Sequence, residues 1–422
     1  MKLVPGTPLE LLLRTDEAAD PMPVGRLAMA GGVAQLEWSA EILAAGIALS
    51  PLHYPPEPGL HAARGGLFDG LHGFLADSLP DAWGTLLLKR RLQKLGHRYE
   101  DLDPVDRLGL VGSRGRGALI FRPARLDADE GPEAIDLDAL AIDARHVLLG
   151  EEGELGALLA RLGGGSGGAR PKVHVAFETN GSLRAGDEPA SDQGVPEAQE
   201  WIVKFPALAD PGDIGPVEEA YARMARAAGI VMAETRLIAS RQGRGHFATR
   251  RFDRPAPGRR LHMVSLGGAV EASPHMPSLD YDGFLKATLA ITRDVRDLEQ
   301  AFRRMLFNIL AHNRDDHVRQ HAFLMNVKGE WHLAPAFDLT FSQGPGGEHY
   351  MAVEGEGRTI TRAHVDTLGQ RHGISPRRIA GMVEQVRSAL ADWPVHARES
   401  SVGVSYAEID LTLRDRWQQF AG

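Results

Sequence analysis

Two aspartates bracket the stretch of this chain richest in chemistry. Asp315 lies in the polar run Asn313-Arg314-Asp315-Asp316-His317, and Asp338 follows 23 positions later in Ala336-Phe337-Asp338-Leu339-Thr340. Between them, HAFLMNV and EWHLA read as two strands joined at Lys328-Gly329, a favourable hairpin turn. A hairpin returns the chain to its origin, so the two carboxylates can meet. Close carboxylates raise each other's pKa unless a cation joins them. Mg²⁺ suits such a pair, because one or two carboxylates plus substrate phosphates satisfy it. Loop aspartate, hairpin and second aspartate is the order found in protein kinases. Asp315 would orient or deprotonate an acceptor hydroxyl, and Asp338 would hold Mg²⁺ across nucleotide phosphates. Asp316 reads equally well as a turn cap. His317 and His321 are spaced i, i+4, but the glutamate of a zinc H-E-x-x-H motif is missing and the segment enters a strand. His312 and His332 read as structural, and Asn308 as a polar position near a helix end.

The first half offers a possible phosphate-binding set. Gly163 to Gly168 is a glycine run interrupted by Ser166 alone. It satisfies G-x-G-x-x-G literally, but a helical pattern precedes it and a strand pattern follows, the reverse of a dinucleotide fold. Ala169-Arg170 stand where a Walker loop needs Lys-Ser/Thr. The run is either a flexible linker or a loop whose bare N–H groups approach phosphate oxygens. Lys204 sits inside the apolar strand pattern WIVKF, and Glu218 and Glu219 open an apolar-periodic helix at 217–229. Glycine loop, strand lysine and helix glutamate is the kinase order for binding nucleotide phosphates. An edge-strand lysine followed by a solvated helix start is the competing reading.

The elements that must position these residues follow from periodicity. VGRLAM and VAQLEWS read as strands around Gly31-Gly32, with a short helix at 39–47. Helical spacing covers 66–97, starting near Phe68 and resuming after Ser78-Leu79-Pro80-Asp81, with Asp81 in the first turn. Residues 127–135 read as an acidic linker, 137–162 as one or two helices, and 172–178 as a strand. The segment 185–199 reads as a polar loop. ETRLIAS and HFATRRF read as strands around QGRG. Leu298, Phe302, Met305, Leu306, Ile309 and Leu310 share one helical face, and helices return over 360–420. No internal repeat is apparent. The 422 residues suggest two to three domains at roughly 150 residues each, with 43% apolar and 24% charged residues as in ordinary globular proteins. The formal charge of −9 argues against bulk nucleic-acid binding by this chain alone. The absence of cysteine excludes disulfides, thiolate nucleophiles and Cys-ligated metals. No run of 18 apolar residues and no signal-like N-terminus is present, so the sequence reads as cytoplasmic with no membrane span.

Several of these segments together resemble the HipA family, serine/threonine kinase toxins of type II toxin–antitoxin systems. They are SAEILAAGIALSPL, LADSLPDAWG (75–84), DRLGLVGSRGRGALIF (106–121), SGGARPK (166–172), WIVKFP (201–206), VEEAYARMARAAGI (217–230), RRFDR (250–254), FNILAHNRDDHVRQHAFL (307–324) and LAPAFDLT (333–340). The resemblance implies an α+β, two-lobed, protein-kinase-like fold with a β-rich N-terminal subdomain and a mostly helical C-lobe. It divides the chain into a β-rich subdomain at 1–125, a kinase-like N-lobe at 126–258 and a helical C-lobe at 259–422. It implies ATP and Mg²⁺ as cofactors, Asp315 as the catalytic residue, and Asp338 with Gln320 as metal ligands. Gln320 stands where the family has asparagine, one methylene shorter. The resemblance further implies nucleotide binding by Gly165, Ser166, Gly167, Gly168, Lys204, Glu218 and Gln320, with Ser166 as the autophosphorylation candidate. The implied partners are a separate HipB-like antitoxin that carries the DNA contact, and a protein substrate, for which the family suggests an aminoacyl-tRNA synthetase. A HipA-like scaffold or co-repressor that transfers no phosphate, and a small-molecule kinase of the same fold, are the alternatives.

Overall fold

The computed structural model describes residues 6–124, 135–163, 168–179, 181–186 and 198–422. The acidic stretch 127–135 and the polar loop 185–199 lie largely outside them. The chain forms two compact units, each drawn from more than one stretch. One takes in the chain up to Leu208, together with Arg250–Glu271 and Leu324–Glu330; the other comprises Ala209–Thr249, Ala272–Phe323 and Trp331–Gly422. Among the described residues no helix is long and apolar enough to cross a membrane.

The first unit opens with a five-stranded antiparallel sheet. Its spatial order is Leu60–Ala62, Val33–Trp38, Met22–Ala30, Leu9–Leu13, Leu119–Arg122. The expected hairpin forms at Gly31-Gly32, whose φ values of 60° and 84° are those a tight two-residue turn demands. The helix Ala40–Ala45 begins where the Ser39 side chain accepts from Ile42 N and ends at left-handed Gly46. Asp81 is the N-cap residue of helix Ala82–Lys94 rather than part of its first turn. The segment 137–162 resolves into two helices, Leu137–Leu149 and Gly156–Gly163. Strand Lys172–Glu178 pairs antiparallel with both Leu183–Ala185 and Ala198–Lys204.

This unit has a charged centre. Asp253 binds the Arg251 guanidinium at 2.8 Å and the Arg254 guanidinium at 2.8 Å, and accepts from Gly117 N at 2.8 Å. All three side chains are nearly inaccessible to water. Burial alone would raise the Asp253 pKa, but the two guanidiniums outweigh it and hold the carboxyl well below the usual range. Arg251 also reaches His174 Nδ1 at 3.2 Å, and Arg254 donates to Gly117 O at 2.8 Å. The cluster thereby ties strand Lys172–Glu178 to the 115–117 turn.

The second unit is mostly helical. Ile214–Ala227 begins three residues before the expected start, with Pro216 in its first turn, where a missing N–H costs nothing. Thr235–Ile238 and His246–Arg250 pair antiparallel around the glycine-rich turn. Val295–Leu310 starts at Asp294, which accepts from Arg296 N at 2.8 Å, and buries the expected apolar face. Helices Arg362–Arg371, Pro376–Ala391, Trp393–Glu399 and Tyr406–Ala421 complete the unit.

Two stability predictions follow from the first unit. Asp253→Asn removes the carboxylate that both buried guanidiniums grip, so it should cost about 3–5 kcal/mol in urea unfolding. His262 is buried, its Nε2 bonds Leu49 O at 2.9 Å, and burial lowers its pKa to about 4. Above pH 6.5 the ring is neutral in both folded and unfolded chains. Below it only the unfolded chain takes up the proton, so roughly 3 kcal/mol of stability is lost by pH 4. His262→Gln should flatten that dependence, and an unchanged pH profile would refute the assignment.

Candidate functional site

Helix Val295–Leu310 delivers the chain to the polar loop. It closes at Ala311, and His312 turns the backbone with φ 54°. The loop then makes one short 3₁₀ turn, Val318–Gln320, capped by the His317 side chain, whose Nδ1 accepts from Arg319 N at 3.1 Å. Strands Ala322–Met325 and Trp331–Leu333 follow, and Ala334 N donates to Ala322 O at 2.9 Å. The chain thus returns as the sequence suggested. Ala336 is fixed by two backbone bonds, its N to Val231 O at 2.7 Å and its O from Ala233 N at 2.9 Å. Asp338 comes two residues later with φ 56°, a left-handed conformation uncommon for aspartate outside turns and functional sites.

The two neighbouring aspartates have opposite environments. The Asp315 side chain is 47% exposed, whereas that of Asp316 is wholly buried. Asp316 accepts from the Tyr281 hydroxyl at 2.6 Å, from His349 Nδ1 at 2.8 Å and from Tyr350 N at 2.8 Å. Burial alone would raise its pKa, yet the interactions with His349, the Tyr281 hydroxyl and the Tyr350 amide lower it below the ordinary carboxylate value. Asp316 is therefore an internal anchor rather than a simple turn cap. Asn308 belongs to the same network, donating to the Tyr281 hydroxyl at 3.0 Å and accepting from Asn313 Nδ2 at 2.9 Å.

His317 stands beside both site carboxylates. Its Nε2 is 3.8 Å from Asp315 Oδ1, and its ring also feels the charge of Asp338. Burial is the largest influence on its pKa and lowers it against the pull of those carboxylates, so the ring favours its neutral form. Because Nδ1 accepts the Arg319 N–H, the neutral ring carries its proton on Nε2, facing Asp315. Gln320 Nε2 donates to Asp338 Oδ2 at 3.1 Å. Asp315, His317, Gln320 and Asp338 thus form one cluster in the second unit. The Gln320 amide lies against the Asp338 carboxylate, and a half-turn of that amide presents its carbonyl oxygen instead. A carboxylate and an amide carbonyl are hard oxygen donors, the set that Mg²⁺ completes with water and substrate phosphates. Among the described residues no group of three His, Cys, Asp or Glu side chains is placed to hold a metal by itself. His321 is buried against Phe284, with ring centroids 4.1 Å apart and neither nitrogen hydrogen-bonded. His312 bonds Gln343 through Nε2 at 3.0 Å.

The remaining site residues occupy other elements. Lys204 ends strand Ala198–Lys204 in the first unit and is buried. Its antiparallel partner in register is Lys172, a second buried lysine that the sequence pattern showed only as a strand start. The Lys172 ammonium lies against Gly168, where a Cβ would sit 2.5 Å from Nζ, and Gly168 has φ 98°. Two lysine side chains therefore sit on neighbouring strands, one of them against Gly168. Gly165, Ser166 and Gly167 lie outside the described residues. Glu218 and Glu219 are both buried on helix Ile214–Ala227 in the second unit. Glu219 is engaged by Arg223 at 3.4 Å and Arg226 at 3.5 Å. Tyr281, His349 and Tyr350 were missed in the sequence, because each meets the loop across more than thirty residues and no local pattern marks them.

Comparison with known proteins identifies the family of the chain. Residues 18–122 match the HipA N-terminal domain and residues 164–393 the HipA-like C-terminal domain. Among curated proteins none matches the chain. Among solved structures, HipA of the Shewanella oneidensis MR-1 toxin–antitoxin system, determined with HipB and operator DNA, is similar at TM-score 0.71 and 17% identity. That match covers 98% of this chain and 97% of that one. The Helicobacter pylori proinflammatory kinase CtkA matches at TM-score 0.38 and 14% identity, over 53% of this chain and 88% of its own. The two domain matches and the full-length α+β fold likeness agree: the chain belongs to the HipA family.

Proposed function

We propose that this protein is an ATP- and Mg²⁺-dependent serine/threonine kinase that acts as the toxin of a toxin–antitoxin pair. The observation that carries this reading is the cluster of Asp315, His317, Gln320 and Asp338 in a chain of the HipA family. Asp315, half exposed, accepts the proton of the acceptor hydroxyl. The Nε2–H of His317 faces Asp315 and favours the carboxylate orientation that leaves its outer oxygen to the substrate. Asp338 and Gln320 hold Mg²⁺, which when bound neutralises charge on the phosphates. Lys204 engages the nucleotide phosphates, and Lys172 is placed in register to add a second positive charge. Gly165, Ser166, Gly167 and Gly168 supply the phosphate loop. Glu218 takes the place of the kinase helix glutamate, and Glu219 on the same helix pairs with Arg223 and Arg226.

The similar Shewanella protein was determined with HipB and operator DNA, which supports a HipB-like antitoxin as partner here, with DNA reached through it. The acceptor is a protein serine, and an aminoacyl-tRNA synthetase is the substrate to test first. Gln320 is the residue on which the alternative of a phosphate-inactive scaffold rests. Its hydrogen bond to Asp338 supports a working ligand, since the longer side chain still reaches the carboxylate. Ser166 is the modification candidate: a phosphate there adds negative charge beside an anion-binding loop and disfavours ATP.

Three outcomes test this function. Purified protein with labelled ATP and Mg²⁺ should incorporate phosphate, and Asp315→Asn should lose about 10²–10⁴-fold in rate while retaining nucleotide binding. Wild-type protein that binds ATP yet transfers nothing, while carrying no phosphate by intact mass, would favour the scaffold. Gln320→Ala should raise the Mg²⁺ requirement by roughly tenfold or more, whereas Gln320→Asn should keep it near wild type. After incubation with ATP, mass spectrometry should find phosphate on the Ser166 peptide; a peptide unmodified throughout would remove Ser166 from the switch.

A further inference from the structure

Asp315 is flanked on both sides by residues that grip one stretch of chain, the segment following Asp338. On the N-terminal side, Asn313 and Ser342 form a parallel bridge. Arg314 N donates to Ser342 O at 3.2 Å, and Ser342 N donates to His312 O at 3.1 Å. The Arg314 side chain reaches further along the same segment, its Nη2 donating to Arg358 O at 3.1 Å. Arg358 in turn pairs with Glu348 at 3.0 Å. On the C-terminal side, the buried carboxylate of Asp316 takes the His349 ring and the Tyr350 amide, both at 2.8 Å. The Tyr350 ring then meets His317 edge-on, with centroids 5.5 Å apart. Tyr281 closes the arrangement: its hydroxyl donates to Asp316, and its backbone N donates to Ala352 O at 3.0 Å.

Kinases commonly order the segment after the metal aspartate by phosphorylating it, so that the new phosphate pairs with an arginine. Here the anion is already built in, and the polarity is reversed. The negative charge sits on the loop as Asp316, and the donors sit on the segment as His349 and Tyr350. A buried carboxylate with three donors is a strong fastening, because removing it leaves those donors without an acceptor.

We propose that Asp316 is a positioning residue that latches segment 342–358 to the loop carrying Asp315, and that this latch assembles the site without phosphorylation of the segment. The effect on rate rests on the kinase reading given above, whereas the latch itself does not.

The test uses the full chain and two readouts. Hydrogen exchange over 342–358 should quicken at least tenfold in Asp316→Asn, with helix Tyr406–Ala421 unchanged. Tyr281→Phe removes one donor and keeps the ring, so it should give a smaller rise and serves if Asp316→Asn does not fold. Phosphate transfer by either variant should fall in kcat by about tenfold or more, with ATP affinity within twofold, since small misplacements of reacting groups are costly. Phosphatase treatment of wild type should leave the protection of 342–358 unchanged and should not lower the rate. Wild-type exchange in both variants would overturn the latch, as would a phosphate on Thr340, Ser342 or Thr359 that the wild-type rate requires. A protected segment in a wild type that transfers no phosphate would instead overturn the kinase reading and leave the latch standing.

Discussion

The Asp316 side chain is wholly buried, so its charge dictates the conformation of everything that reaches it. An ionised carboxylate in a dry interior is tolerated only when donors fill its lone pairs. Three groups from two distant stretches do so here: Tyr281 from one, and His349 with Tyr350 N from the other. Each donor must arrive within hydrogen-bond range, and that requirement fixes where helix Tyr281–Thr292 and the segment after Asp338 run relative to the loop. Asp315, one residue away, inherits a defined backbone without giving up exposure. A rigid neighbour thus positions a reactive group that must itself stay open to substrate.

The first unit solves an analogous problem with opposite accounting of charge. Asp253 is also buried and ionised, but its donors include two guanidiniums that carry charge of their own. Those guanidiniums also meet neutral groups, Arg254 reaching Gly117 O and Gly115 O, and Arg251 reaching His174. His174 lies on strand Lys172–Glu178, two residues beyond Lys172. The strand that carries one of the two paired lysines is therefore held from its middle by a charged knot. Both units place a buried aspartate next to elements that bear candidate site residues, and both let long-range partners, not local propensity, set the geometry.

That division explains what could be read without coordinates. The turn at Gly31-Gly32, the helix over Val295–Leu310 and the return of the chain to Asp338 follow from short-range rules of turn chemistry and periodicity. Asp315 and Asp338 were legible because a hairpin separates them and because the surrounding segments resemble one family. The roles of Tyr281 and His349 were not legible. They lie 35 and 33 residues from Asp316, and nothing in a tyrosine or a histidine announces its partner. Asp316 itself looked like a turn residue because a turn aspartate and a buried anchor share the same sequence signature. Lys172 looked like the first residue of a strand, since its significance depends on register: only pairing shows that it stands opposite Lys204. RRFDR read as a family segment, but that its aspartate and two of its arginines share one dry site is a property of packing.

Gln320, where the family has asparagine, reaches Asp338 from a short turn of its own. The 3₁₀ turn Val318–Gln320 is held at its start by His317, whose Nδ1 accepts the Arg319 N–H. That one contact fixes two things together. It commits the His317 proton to the nitrogen facing Asp315, and it sets the backbone from which Gln320 extends. The extra methylene of glutamine relative to asparagine is taken up in the side chain, which still meets Asp338 Oδ2 at 3.1 Å. Asp338 accepts a left-handed backbone to be there, a conformation costing on the order of 1 kcal/mol for a non-glycine residue. Such a cost persists only where neighbours enforce it, and here the two backbone bonds at Ala336 do so. Side-chain length at position 320 is thus the adjustable quantity in this site, while the backbone positions of residues 315, 317 and 338 are the constrained ones.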